Sequence, residues 1–292
     1  MKSGFCAIVG RPSAGKSTLL NAIIGEKVSI TSSSPQTTRN KVRGILTKEE
    51  QGQIVFIDTP GYHNSEKKFN QYMMEVVDST LVEDADLILY VIDMTRSPGR
   101  EEEELISMIL KTNLPLLLCL NKSDVAKSAK EEIYTWLESK NIQNTIEVSA
   151  AKEKGLDELM GQLFDIAPEG EYLYPPDYYT DQTPEFRIAE IIREETINRL
   201  SQELPHSVYI EVSDIEIDEE KNIMWIRAFI QVEKESQKGI VVGKGGKQIK
   251  EIRQSSQKSL GKIFTQRIHM DLRVKVNPKW RRKDNLVKDL LS

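Results

Sequence analysis

The sequence predicts two domains, an α/β domain with a doubly wound, mostly parallel sheet and then a smaller α+β domain. Three observations support this fold class: apolar runs alternate with helical patterns, a Pro- and Tyr-rich stretch follows, and the element order changes after it. The 292 residues suffice for two ordinary domains. We place the first domain at 1–167, a linker at 168–183 and the second domain at 184–292.

The first domain reads as alternating strands and helices. Helical patterns at residues 16–25 and 101–113 lie between short apolar runs, namely FCAIVG, IVFIDTP, LILYVID, LPLLLCLNK and TIEVSA. Continuous apolar strands that alternate with helices are typical of a parallel sheet covered on both faces.

The second domain begins with a helical pattern, PEFRIAEIIREETINRL, in which Pro184 suits the first turn. Two strand patterns follow, SVYIEVSDIEI and NIMWIRAFIQV. A helix interrupted by glycines and a last strand, RIHMDLRVKV, complete the order α-β-β-α-loop-α-β.

Composition is that of an ordinary globular protein, with 39% hydrophobic and 29% charged residues. No apolar run reaches the roughly 18 residues of a membrane span, and the N-terminus lacks a signal-peptide layout, so we expect a cytoplasmic protein. Cys6 and Cys119 lie in apolar runs and are expected to be buried thiols.

Charge is unevenly distributed along the chain. Residues 1–220 carry 22 Lys and Arg against 39 Asp and Glu, a net −17, whereas residues 221–292 carry 18 against 6, a net +12. The basic C-terminal part indicates either a contact with nucleic acid or another anionic surface, or simply a solvated lysine-rich face.

The glycine-rich loop GRPSAGKS, residues 10–17, fits the pattern G-x-x-x-x-G-K-[ST] between a strand and a helix. Backbone N–H groups of such a loop surround phosphate oxygens at a helix N-terminus. We expect Lys16 to reach the terminal phosphates and Ser17 to ligate Mg²⁺. The predicted phosphate-binding residues are Gly10, Ser13, Ala14, Gly15, Lys16, Ser17 and Thr18.

Three further motifs complete a guanine-nucleotide site. In FIDTPG, Asp58 is placed to hold Mg²⁺ through water, and the Gly61 N–H to meet a γ-phosphate. In NKSD, the Asp124 carboxylate can accept from N1–H and N2–H₂ of guanine, a donor pair that adenine lacks. The VSAAK motif places the Ala150 N–H near the guanine oxygen. The predicted base-binding residues are Asn121, Lys122, Asp124, Ser149, Ala150 and Ala151.

These motifs resemble the translation-factor-related branch of P-loop GTPases over residues 4 to about 165. The resemblance implies hydrolysis of GTP to GDP and phosphate, coupled to a switch. It makes SSPQTTR the first switch, with Thr38 as Mg²⁺ ligand and γ-phosphate sensor and Thr37 as the alternative. The implied catalytic residues are Lys16, Thr38 and Gly61, and the implied metal ligands are Ser17, Thr38 and Asp58.

Two departures from related GTPases bear on the rate. Tyr62 stands where Ras-type GTPases carry the Gln that orients the attacking water, so we expect slow intrinsic hydrolysis. Ser13 stands where potassium-stimulated relatives carry Asn, so we expect weak or absent potassium stimulation.

The second glycine loop, GKGG at residues 243–246, lies between two helical stretches. It matches the G-x-x-G loop of a type II KH domain, which clamps a few single-stranded nucleotides. Ile240, Val241, Val242 and Ile249 are expected to line the apolar side of the groove. The alternative is a glycine turn with a solvated basic face. The predicted RNA-binding residues are Ile240, Gly243, Lys244, Gly245, Gly246 and Lys247.

A P-loop GTPase joined to a C-terminal KH domain resembles the Era family of bacterial ribosome-associated GTPases. YPPDYYTDQ and AEIIREE match its linker and first KH helix. The resemblance implies a role in maturation of the small ribosomal subunit, with the KH domain on the 3′ end of its RNA and the GTP state gating that site.

Two other interpretations stay open. One is an RNA-binding module that holds nucleotide but barely turns it over. The other is a regulatory GTPase peripheral to the inner face of the cell membrane, attached through the basic tail around Trp280. Trp280 itself either stacks on a base, rests at a membrane interface or packs on its own domain.

Overall fold

The computed structural model describes residues 1–32, 37–62, 68–142, 144–200, 204–283, 286 and 290. These residues form two compact units, and each is described by itself. Within the described chain up to residue 283, the first unit contains 1–31 and 38–181, and the second contains 182–283 together with Ser32 and Thr37. None of the described helices is long and apolar enough to cross a membrane.

The first unit is built on a six-stranded sheet with the order β2-β3-β1-β4-β5-β6. All neighbouring strands run parallel except β2, which pairs antiparallel with β3 at the edge. Because the parallel strands end at the same edge, the loops that follow them meet there. The strands are β1 Lys2–Val9, β2 Val42–Lys48, β3 Gly52–Asp58, β4 Leu87–Asp93, β5 Leu116–Asn121 and β6 Thr145–Glu147.

The helices of the first unit bury apolar faces against this sheet. In α3, Leu105, Ile106 and Ile109 are buried beside the inner residues of β4. These results confirm the predicted α/β class. The helices are α1 Lys16–Ile24, α2 Lys68–Ser79 with a π-helical turn at Thr80–Asp84, α3 Arg100–Thr112, α4 Lys130–Ser139 and α5 Leu156–Ile166.

The stretch after α5 is bonded to the sheet rather than free. The Ile45 N–H of edge strand β2 donates to the Tyr179 carbonyl at 2.9 Å. The completely buried Gln53 accepts from the N–H groups of Leu173 and Tyr174 at 2.8 and 2.9 Å. This segment therefore covers a sheet edge that would otherwise present unpaired backbone groups.

The second unit has a three-stranded sheet with the order β7-β8-β9. Strands β7 and β8 are antiparallel, β8 and β9 are parallel, and one sheet face packs on the helices. This order confirms the predicted α-β-β-α-loop-α-β fold. The elements are α6 Pro184–Ile197, β7 Tyr209–Asp218, β8 Ile223–Val232, α7 Glu235–Val242, α8 Lys247–Leu260 and β9 Arg267–Val276.

Candidate nucleotide and nucleic-acid sites

The first glycine loop connects β1 to α1 and surrounds the buried ammonium group of Lys16. Lys16 is only 6% exposed, and its Nζ donates to the carbonyls of Gly10 and Arg11, both at 3.1 Å. Gly15 has φ +96°, and a Cβ there would lie 2.3 Å from Asn121 Nδ2. Only glycine fits this position because both the backbone angle and the space exclude a side chain.

Burial changes the proton affinity of this lysine. Desolvation lowers the pKa of Lys16 to about 8, although the neighbouring Asp58 carboxylate opposes the shift. Phosphate oxygens bound at the loop would stabilise the charged ammonium. The site is therefore arranged for an anionic ligand.

A cluster of hydroxyls surrounds Asp58 at the end of β3. Asp58 Oδ2 accepts from Ser17 Oγ at 2.7 Å, Ser29 Oγ at 2.8 Å and Thr38 Oγ1 at 3.2 Å. Its other oxygen, Oδ1, is buried and has no hydrogen-bond partner among the described residues. Burial raises the pKa of this carboxyl group despite the hydroxyls and Lys16.

This donor set suits Mg²⁺. Hydroxyl and carboxylate oxygens are hard ligands, and Mg²⁺ keeps several waters while binding few protein groups. The Ser17 Oγ and Thr38 Oγ1 atoms lie 2.8 Å apart beside the carboxylate, so an ion here would replace hydrogen bonds within the cluster. The unpartnered Asp58 Oδ1 could then accept from a water of that ion.

Sequence reasoning missed Ser29, which belongs to this cluster and is buried. Asn21 of α1 holds it in place by accepting from the Val28 and Ser29 N–H groups at 2.9 and 2.8 Å. The Asn21 amide also donates to the Ser29 carbonyl at 2.7 Å. A lone serine in a loop gives no signal of this kind.

The structure distinguishes the two candidate switch threonines. Thr38 joins the hydroxyl cluster in the first unit. Thr37 belongs to the second unit, where its carbonyl accepts from Arg193 Nη2 at 2.7 Å. Residues 33–36 of the predicted first switch lie outside the described residues.

Gly61 and Tyr62 approach the phosphate loop from the end of β3. A Cβ on Gly61 would lie 2.6 Å from the Pro12 Cα, so the two backbones are in close contact. The Tyr62 N–H donates to the Gly10 carbonyl at 3.0 Å. The Tyr62 phenol is directed to helix α3, where it donates to Glu104 Oε2 at 3.4 Å.

The predicted base-binding motifs come together at the ends of β5 and β6. The buried Asn121 donates to the Ala14 carbonyl at 2.9 Å and accepts from the Ala150 N–H at 3.0 Å. The Ala150 N–H is therefore already engaged, and the predicted contact with guanine would have to share it with Asn121. Ala151 lies in the same short turn, and Thr18 lies in the first turn of α1.

The side chains of Lys122 and Asp124, just after the end of β5, have different hydrogen-bond partners. The Lys122 ammonium binds Asp93 Oδ2 at 2.6 Å and the Ser13 carbonyl at 2.8 Å, linking this motif to the phosphate loop. The exposed Asp124 carboxylate accepts from Ser149 Oγ, and that bond lowers its pKa. Asp124 is therefore an ionised acceptor at the surface, as reading guanine requires.

The second glycine loop has three glycines of positive φ. Gly243, Gly245 and Gly246 have φ of +72°, +60° and +75°. Lys244 and Lys247 beside them are exposed. A Cβ on Gly245 or Gly246 would meet nothing within 4 Å, so these glycines serve the backbone angle and leave the loop open to a ligand.

The predicted apolar lining of this groove is partly wrong. Ile240 is 51% exposed, as a base-contacting residue should be. Val241 is completely buried in the domain core, because it lies on the inner face of α7, and no ligand can touch it. Val242 and Ile249 are partly buried and pack against the same core.

Trp280 packs on its own domain. It is completely buried, its indole N–H donates to the Ser207 carbonyl at 3.0 Å, and its ring meets Tyr209 edge-on. Neighbouring Arg281 pairs with Glu233. The structure therefore selects packing over base stacking or membrane insertion for this tryptophan.

Comparisons with known proteins agree with a GTPase domain followed by a KH domain. A family model described as "50S ribosome-binding GTPase" matches residues 5–122, and one described as "KH domain" matches residues 203–281. GTPase Era of Treponema denticola is 47% identical, covering 99% of both chains. GTPase Era of Borreliella afzelii is also 47% identical, covering the whole of both chains.

Two similar solved structures also bear the Era name. A point variant of Aquifex aeolicus Era bound to GDP·AlF₄⁻ has a TM-score of 0.94 at 35% identity, covering 99% of this chain and 98% of that one. Era in complex with MgGDPNP and nucleotides 1506–1542 of 16S ribosomal RNA has the same score, identity and coverage. The chain therefore belongs to the Era family, in which a GTPase domain precedes a KH domain.

Proposed function

We propose that this protein binds GTP and GDP with Mg²⁺, hydrolyses GTP slowly as a switch, and binds the 3′ end of small-subunit ribosomal RNA. In this role it assists assembly of the 30S subunit in the cytoplasm. Residues 1–167 act as the GTPase domain, 168–183 as the linker and 184–292 as the RNA-binding domain. The observation that carries the proposal is that each glycine loop combines glycines of positive φ with lysine ammonium groups, an arrangement that suits phosphate ligands.

The predicted residues have distinct parts in hydrolysis. Ser17 and Thr38 would hold Mg²⁺ directly, and Asp58 would hold it through water. When bound, the ion neutralises charge on the β- and γ-phosphates. Lys16 donates to the same phosphates, and the Gly61 N–H orients the γ-phosphate for in-line attack. The close approach of Gly61 to Pro12 supports this placement.

Slow turnover follows from Tyr62. Its phenol is bonded to Glu104 and cannot hold the attacking water as a glutamine amide would. Multiple-turnover release of phosphate from GTP tests this part of the proposal. Measurable turnover that Lys16→Met abolishes supports a GTPase, whereas nucleotide binding without turnover supports the alternative of a pure RNA-binding module.

RNA binding is assigned to the second glycine loop. The similar Era structure that contains 16S nucleotides supports this assignment, as do the open loop and exposed Lys244 and Lys247. We expect Lys244→Asp/Lys247→Asp to abolish binding of labelled RNA that matches the small-subunit 3′ end. The matched control is Lys221→Asp/Lys234→Asp, which makes the same charge change at exposed positions outside the loop.

Equal losses in the two double variants would contradict a specific role for the loop and indicate only general attraction to the basic domain. Full binding by Lys244→Asp/Lys247→Asp would remove the RNA assignment. A folded protein is verified in each case by its circular dichroism.

Peripheral membrane attachment is the weaker alternative, because Trp280 is buried and Arg281 is paired. Flotation with vesicles of anionic phospholipid tests it directly. Co-flotation that is lost on removal of residues 279–292 would favour the membrane interpretation over a purely cytoplasmic location.

A further inference from the structure

Arg11 occupies a variable position of the phosphate-loop motif, yet its side chain is held by two carboxylates of helix α3. Its Nε donates to Glu101 Oε2 at 2.7 Å. Its Nη1 donates to both oxygens of Glu102, at 2.7 and 2.9 Å. Glu102 is only 6% exposed, so this is a largely desolvated ion pair and not a surface one.

Glu102 lies in the first turn of α3 and is itself fixed there. Its Oε2 accepts from the Gly99 N–H at 2.8 Å, which caps the first turn of α3. A carboxylate with this many donors has one orientation available. Arg11 is therefore tied to the capped N-terminal turn of α3.

The backbone of Arg11 is what connects this pair to the nucleotide site. The carbonyls of Gly10 and Arg11 are the acceptors of the Lys16 ammonium. The Gly10 carbonyl also accepts from the Tyr62 N–H. Glu104, which also lies near the N-terminal end of α3, accepts a hydrogen bond from the Tyr62 phenol. The N-terminal end of α3 thus contacts both Arg11, whose carbonyl accepts from Lys16, and Tyr62, which follows Gly61.

We propose that Arg11 and Glu102 are positioning residues for GTP hydrolysis, which hold the phosphate loop and, through it, Lys16 in the geometry that the reaction needs. They act without touching the nucleotide. A displacement of about 1 Å in a catalytic group lowers rates up to about a hundredfold. Loss of Arg11 leaves the buried Glu102 charge uncompensated, and loss of the Glu102 charge leaves Arg11 with Glu101 alone, so either change would shift the loop.

The test measures single-turnover hydrolysis of preloaded GTP·Mg²⁺ and, separately, the affinity for GDP. We expect Glu102→Gln and Arg11→Gln each to slow hydrolysis about tenfold while the GDP affinity changes less than about threefold. The double variant should be no slower than the worse single variant, because the two residues act as a unit. Arg11→Lys, which keeps one charged contact, should recover most of the rate.

The control is Arg100→Gln, which removes an ion pair with Glu104 on the same helix from an arginine that is 83% exposed. It should leave the rate within about twofold of the wild type. Glu102→Gln preserves the shape and an acceptor for the Gly99 N–H, so it remains informative if Arg11→Gln does not fold. Thermal unfolding identifies any variant that is merely unstable.

Three results would overturn the proposal: an unchanged rate in Glu102→Gln, additive losses in the double variant, or a loss of GDP affinity as large as the loss of rate. The proposal rests on GTP hydrolysis by this chain, and the failures are distinguishable. Absence of hydrolysis in the wild type refutes the proposed function, whereas unaffected variants of an active wild type refute only the positioning role.

Discussion

At the scale of single residues, we expect Asp124 to decide which base the protein accepts. Its carboxylate is ionised and exposed at the end of β5, with Ser149 donating to one oxygen. We expect Asp124→Asn to lower GTP affinity at least about a hundredfold, because an amide cannot accept from both guanine donors. Affinity for xanthosine triphosphate should rise, since that base presents a carbonyl to the new amide. Competition binding measures both, and unchanged GTP affinity would contradict the assignment.

The expected lack of potassium stimulation depends on Ser13, which stands where potassium-stimulated relatives carry Asn. Its backbone angle is also unusual for a serine. It adopts φ +64°, a region where asparagine is several-fold enriched over serine. We expect wild-type hydrolysis to proceed at nearly equal rates in potassium and sodium, and Ser13→Asn to be several-fold faster in potassium. Strong potassium stimulation of the wild type would refute this expectation.

The site was predictable from sequence wherever function fixes both residue type and spacing. Asp58 and Lys16 stand in such motifs, and the structure brings them together. Ser29 and Arg11 were not predictable as site residues, because their partners are distant in the chain and their residue types are common in loops. Val241 was misassigned because an apolar run at a helix end does not reveal which member faces the core.

At the scale of elements, the glycines in and near the second loop differ in backbone conformation. Gly246 adopts φ +75°, whereas Gly239 lies inside helix α7 with no positive φ. We expect Gly246→Ala to reduce the free energy of unfolding by about 1 kcal/mol and to weaken RNA binding. Gly239→Ala, the matched control, should raise the free energy of unfolding by roughly 0.5–1 kcal/mol. Urea unfolding measures both, and equal signs would contradict the predicted loop geometry.

Gln53 anchors the segment after α5 to β3. We expect Gln53→Ala to leave the Leu173 and Tyr174 N–H groups without their acceptor, which costs roughly 1–3 kcal/mol. Because the lost bonds hold that segment, limited proteolysis between residues 168 and 183 should accelerate. Unchanged cleavage would show that the segment is held by other contacts, such as Arg43 with Asp181.

Some secondary-structure elements, like some site residues, could be predicted from the sequence, and others could not. Parallel strands such as β4 are continuous apolar runs and were recognised. Strand β2, VRGILTK, mixes buried and partly exposed residues at a sheet edge without a continuous apolar run, and it was not recognised. Bonding of the linker to β2 and β3 depends on residues more than 100 positions apart, which a local pattern cannot reveal.

At the scale of the whole molecule, the Thr37–Thr38 peptide bond joins residues that belong to different units. Thr38 lies in the hydroxyl cluster around Asp58, and the preceding residue, Thr37, is bonded to the buried Arg193 of α6. Arg193 is also paired with Glu190. We expect a rearrangement of Thr38 on nucleotide exchange to displace Thr37 and so to depend on the bond from Arg193.

The measurement that tests the central claim most directly is the affinity for labelled RNA matching the small-subunit 3′ end, with the protein loaded with a non-hydrolysable GTP analogue or with GDP. Lys244→Asp/Lys247→Asp and Arg193→Gln are measured in parallel. We expect tighter binding in the GTP-analogue state, loss of binding in the loop variant, and a smaller difference between nucleotide states in Arg193→Gln. Equal RNA affinity in the two nucleotide states of the wild type would contradict the claim that the first glycine loop controls the second.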